Sequence, residues 1–177
     1  MDTTLQQRIE KALAAFPAKG RIHWQVDYEP LSIDTFEEKV KAIFTNYFDA
    51  DYVEQNFALP EDFRIFLMLC PAPLQIPHEW EVLYDAQKIL DHLPDYYNWY
   101  DQKLLWRRKH NENQKSDTMW LHFASWSDKH DYLIGCDRSS KTFGKVYDAY
   151  DDHPWMEDSE LLNRRKSKSF VKFLEKW

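Results

Sequence analysis

The chain has 177 residues, 44% of them hydrophobic and 30% charged, and 30 Asp and Glu against 23 Lys and Arg leave a net charge of −7. That length suits one domain with its own core, since domains hold roughly 100–200 residues, and the apolar share is too high for a disordered chain. The acidity argues against general affinity for phosphate backbones, and no stretch approaches the roughly 18 apolar residues of a membrane helix.

The N-terminus, DTTLQQRIEKAL, has no basic flank and apolar run of a signal peptide and reads as an amphipathic helix. Leu5, Ile9, Leu13 and Phe16 fall on one helical stripe that Pro17 and Gly20 end. Residues 22–28, IHWQVDY, alternate apolar and polar as a strand with one buried face does. A second helix is expected from Asp34, as N-cap with Glu37 three residues on, carrying Phe36, Val40, Ile43, Phe44 and Tyr47. A third starts at Pro60, with Glu61 and Asp62 at its positive end and Phe63, Phe66, Leu67 and Cys70 inward, and the CPAP run stops it.

Trp80–Tyr84 reads as a short strand, and Asp85 caps a helix, AQKILDHL, that Pro94 interrupts. Residues 95–106 are aromatic-rich and expected to be helical, while 107–118 are polar and expected to form an exposed loop. MWLHFAS, DYLIGC and FGKVYDAY then read as consecutive antiparallel strands, with DRSSKT as a hairpin connection. A closing helix places Phe170, Phe173, Leu174 and Trp177 on one side. The expectation is one α+β domain, an antiparallel or mixed sheet of about five strands flanked by helices, with residues 1–54 packed on a main domain of 55–177.

Little in the chain points to catalysis. Gly20, Gly135 and Gly144 are the only glycines and cannot build a phosphate-cradling loop. None of the seven histidines sits in an H-E-x-x-H pair. His122 and His130, near Asp128 and Asp131, are the nearest approach to a ligand cluster, and a strand-end loop rich in solvated polar groups is the favoured explanation over a metal or acid–base site. No G-x-S-x-G elbow occurs, and Cys136, in an apolar strand, should be blunted by burial. No catalytic residue, cofactor or metal is expected.

Four segments carry a resemblance. LPEDFRIFL, WEVLYDAQKIL, YLIGCDRSSKTFGKVYDAYDD and SKSFVKFLEKW, in that order, resemble the SUKH superfamily, the Smi/Knr-like domain of bacterial immunity proteins and fungal cell-wall regulators. CPAPLQ stands where members commonly carry a glycine pair. The resemblance implies a binding module that often neutralises a toxin, frequently a nuclease; the two distant cysteines, Cys70 and Cys136, and the N-terminal pattern separately suggest a cytoplasmic setting. A regulatory scaffold for a non-toxin partner is the alternative, ahead of an unrecognised enzyme.

A surface for such a partner is suggested by composition. From Asp148 to Glu160 six acidic residues occur with no Lys or Arg. Asp148, Asp151, Asp152, Glu157 and Asp158, with Tyr150 and Trp155, make an aromatic anchor among carboxylates suited to a basic protein surface. The Trp126–Asp131 segment, with Asp128, is a second candidate. The bland alternative is a solvated loop with Trp155 packed inward. Two basic runs, 107–109 and 164–168, read as a solvated loop and a helix flank, and binding to nucleic acid or membrane is not expected.

Overall fold

The computed structural model describes residues 4–15, 22–23, 31–70, 74–75, 81–95, 97, 119–126, 130–150 and 165–176. Its strands are β1 (Ile22–His23), β2 (Leu74–Gln75), β3 (Glu81–Leu83), β4 (Trp120–Trp126), β5 (His130–Gly135), β6 (Val146–Tyr150) and β7 (Arg165–Ser167). They lie in one sheet in chain order, every ladder antiparallel, and five of the seven are three residues or longer. The helices are α1 (Leu5–Ala15), α2 (Ile33–Phe44), α3 (Ala50–Asn56), α4 (Glu61–Leu69), α5 (86–95) and α6 (Phe170–Leu174). The molecule is an α+β fold whose sheet is a meander.

Each element has a local cause. Helix α2 begins two residues earlier than the expected Asp34 cap implies, because Ser32 is the N-cap and its Oγ accepts the Thr35 N–H. Asp34 is thereby freed for Arg64, 3.0 Å away, which also meets Glu37 at 2.8 Å. Helix α3, which the sequence pattern did not announce, is capped by Asp49 accepting the Tyr52 N–H. Asp85 Oδ1 accepts the Lys88 N–H and starts α5, which runs through Pro94 to residue 95 instead of breaking there. The expected strand over 143–150 begins only at Val146, after a turn in which Gly144 takes φ +70°. Within the basic run expected to flank a helix, Arg165–Ser167 form the edge strand β7, which leads into α6. The expected features at 24–28, 98–118 and Trp177 lie outside the described residues.

Helices and sheet meet through aromatic rings. Phe63 and Phe66 of α4 stand 4.9 and 4.8 Å from Phe170 of α6, which stands 5.3 Å from Phe123 of β4. Phe123 occupies an irregularity in the β4–β5 register between His122 and Ala124, and it is fully buried. Edge-to-face pairs of this kind add about 0.5–1.5 kcal/mol each beyond the area they bury. A second group gathers Phe44, Phe57 and Tyr97, with Tyr97 accepting the Trp120 N–H at 2.8 Å and donating to the Trp120 carbonyl at 3.2 Å. Helix α1 contributes the fully buried Ile9, and Arg8 pairs with Glu175 beyond the end of α6.

One buried carboxylate ties α3 to the β5–β6 connection. Asp137 accepts from the Ser139 N–H at 2.8 Å, the Ser139 hydroxyl at 2.7 Å and the Tyr52 hydroxyl at 2.5 Å. Three donors on one buried aspartate satisfy the demand that burial makes of a charge. The arrangement fixes the tight end of the sheet, opposite the end to which the candidate residues belong.

Candidate functional site

Antiparallel register brings together two segments that are distant in sequence. Trp126, the last residue of β4, pairs with His130, the first of β5, and His130 pairs with Tyr150, the last of β6. The Trp126–Asp131 connection and the acidic stretch that follows Tyr150 are therefore rooted in one row at one end of the sheet. Asp128, Asp151, Asp152, Trp155, Glu157 and Asp158 lie outside the described residues.

Asp131 and Asp148 come from this end but serve opposite faces. Asp148 pairs with Tyr132 and Asp131 with Ala149, and successive strand residues alternate sides. Asp148 does not sit in an open ring of carboxylates, as the composition suggested. It is 3% exposed, with Oδ1 2.9 Å from His130 Nδ1 and Oδ2 2.9 Å from Lys166 Nζ. The reason is its position inside a strand: His130 lies diagonally across on β5, and Lys166 sits at a bulge where Val146 faces Ser167 and Tyr147 faces Arg165. A buried charge persists only when paired in this way.

On the opposite face, β4, β5, α5 and the residue that follows β3 build a polar cluster from Tyr84, Lys88, His92, His122, Ser125 and Asp131. The Ser125 hydroxyl donates to Asp131 Oδ1 at 3.0 Å, so the Tyr84 hydroxyl, 2.6 Å from Ser125 Oγ, is the donor of that pair. His122 Nε2 lies 3.0 Å from both the Ala124 carbonyl and Asp131 Oδ1 and 3.1 Å from Ser125 Oγ. The carbonyl and the carboxylate only accept, so Nε2 carries the proton.

These directions decide what the cluster can do. A serine nucleophile needs a histidine nitrogen with a free lone pair on its hydroxyl and an acid on the other nitrogen. Here one protonated nitrogen meets both partners, and the serine proton is aimed at the carboxylate. Burial works to raise the Asp131 carboxyl, but hydrogen bonds and charge from His122 and the Ser125 hydroxyl bring it below its ordinary value, making it a weak base. Burial raises the Tyr84 phenol, which stays protonated at neutral pH. The His92 imidazole is lowered by burial, with Lys88 and His122 adding to the effect. Ser125, Asp131 and the Nε2 proton of His122 buttress the β4–β5 hairpin.

The sequence singled out His122 and Asp131 as neighbours but missed Tyr84, His92 and Ser125. Strand alternation across the hairpin places Ser125 beside Asp131, and that signal was available. The contribution of Tyr84 and α5, some forty residues earlier, was not.

Among the described residues no three His, Cys, Asp or Glu side chains converge as a metal site requires, and no helix is long and apolar enough to cross a membrane. Cys70 and Cys136 are buried, and burial, with Asp137 and Glu37 adding, pushes the Cys136 thiol well above its ordinary value. The Trp and Tyr side chains described are all buried or half-buried, and Met68 of α4 is the one large hydrophobic residue exposed among the described residues. Compared with known proteins, the chain matches no family model, no curated protein and no solved structure.

Proposed function

We propose that this chain is a non-catalytic protein-binding module of the SUKH immunity type, which neutralises a cognate toxin bearing a basic surface, such as a nuclease. The observation that carries the reading is the run from Asp148 to Glu160, six carboxylates with no Lys or Arg and with Tyr150 and Trp155 among them, in a chain of net charge −7. A protein that grips phosphates presents a basic groove, and carboxylates around an aromatic anchor complement it while speeding encounter. The register that roots Trp126 and Tyr150 in one row lends support, because it lets both candidate segments contribute to one surface. The protonation pattern at Ser125 supports the non-catalytic half of the reading.

Asp148 has a different part in this account from the other carboxylates. Held by His130 and Lys166, it braces the strand from which the acidic run departs, and Asp151, Asp152, Glu157 and Asp158 carry the contact.

Co-expression with the product of the neighbouring reading frame provides the test. The chain should suppress that product's toxicity and bind it one to one in calorimetry. Trp155→Ala, and separately Asp151→Lys with Asp152→Lys, should each weaken binding by about 2 kcal/mol or more, as hot-spot losses do. Undiminished affinity in both variants would remove this surface from the account, and a non-toxic partner would move the chain to the scaffold class.

A further inference from the structure

The contact between α5 and the outer face of the sheet concentrates basic groups on one aromatic ring. The His92 ring lies nearly parallel to that of Tyr84, at 16° and 5.2 Å between centroids. Lys88, one turn earlier on the same helix, holds its ammonium 5.2 Å from the centre of that ring. The His122 ring meets Tyr84 edge-on at 5.0 Å and stands 6.4 Å from His92. An aromatic face attracts one cation well, and here Lys88 already occupies it.

We propose that His92 is a proton-operated contact: neutral, it stacks on Tyr84 beside Lys88, and protonated, it is expelled from the ring, loosening the last turn of α5 from the sheet. The charged and titratable groups around it come from three elements and one residue beside them. On α5 they are Lys88, Asp91 and Asp95; the residue after β3 is the uncharged but titratable Tyr84, β4 gives His122 and, through His122, β5 gives Asp131. His92 keeps much of its surface in solvent, so the desolvation that lowers its imidazole is partial; Lys88 and His122 add to it, and Asp91 and Asp95 oppose it without cancelling it. Asp131 is also coupled to His92 and favours the imidazolium. Ile89 and Leu93, both fully buried, keep the body of the helix docked, so the change is confined to the helix end and to Tyr84.

The sign follows from linkage. An imidazole whose folded value lies below its unfolded one leaves stability intact above the unfolded value, about 6.5, and costs stability as pH falls beneath it. The protein needs no partner for the test. Thermal unfolding of wild type and His92→Phe is compared at pH 7 and pH 5, together with the ring resonances of Tyr84. Wild type should lose more melting temperature on acidification than His92→Phe, by on the order of 2 °C, and only in wild type should the Tyr84 resonances follow the His92 titration. Lys88→Met, at a side chain reaching solvent, should move the His92 midpoint upward. Equal acid losses in wild type and His92→Phe, or a His92 midpoint unchanged by Lys88→Met, would overturn the proposal.

Discussion

Two glycines show how closely single residues are prescribed at the β5–β6 connection. A Cβ added to Gly135 would lie 2.5 Å from the Thr142 carbonyl oxygen and 2.9 Å from its carbon, both backbone atoms that cannot swing away. At Gly144 the nearest atom is Pro60 Cβ at 3.6 Å, and the obstacle is instead φ +70°, which L residues adopt at a cost. The two substitutions should therefore differ in size. Gly135→Ala is expected to lose about 2 kcal/mol by overpacking, and Gly144→Ala about 1 kcal/mol by strain, as read from urea denaturation midpoints. Equal losses would mean that the backbone at Thr142 gives way more easily than its neighbours imply.

At the scale of elements, the closing helix depends on one carboxylate from another helix. Helix α6 has five residues, too few to hold itself, and its first N–H groups are taken up by Ser169 Oγ, through Lys172, and by Asp62 Oδ2 of α4, through Val171 at 2.9 Å. Burial raises the Asp62 carboxyl above its ordinary 3.8, while the N–H groups of Val171 and Phe63 pull it down. A raised carboxyl contributes its full stability below that ordinary value and loses it as pH climbs through its own higher one. Asp62→Ala should cost about 2 kcal/mol at neutral pH, because it leaves the Val171 N–H buried without an acceptor. Asp62→Asn keeps an acceptor and cannot ionise, so its deficit against wild type should shrink between pH 3.5 and pH 7 in the same denaturation assay.

These elements also show what a sequence declares. Helices α1, α2 and α4 and strands β4–β6 announce themselves because their apolar spacing runs long enough to reveal a period; Ile9, Val40 and Phe66 fall where the stripes put them. Helix α3 is hidden because seven residues barely complete two turns, and it is held by the Asp49 cap and by the Tyr52–Asp137 hydrogen bond across 85 residues. Strand β7 is hidden because its RKS sequence looks solvated; only pairing with β6 and the Lys166–Asp148 bridge give it shape. Asp148 misleads for the same reason. Charge in sequence speaks of water, and only register reveals a partner within 3 Å.

Over the whole molecule, the first helix is part of the core that the later elements build. Ile9 is fully buried in the cluster that also holds Phe63, Phe66 and Phe170. Truncating it should leave a cavity between α1, α4 and α6, and Ile9→Ala is expected to cost about 3 kcal/mol. A loss below 1 kcal/mol would show α1 to be a loosely applied appendage. The meander adds a constraint of another kind. Among the described strands each one from β2 on pairs with the strand before it in sequence, and β4, β5 and β6 close over short connections, whereas Ile22 must reach Gln75 and Leu83 must reach Ala124. The Arg8–Glu175 bridge spans 167 positions. Helix α1 also rests on α4, so α4 can shelter one side of it long before α6 is made, and the side turned to α6 stays open until that late partner arrives.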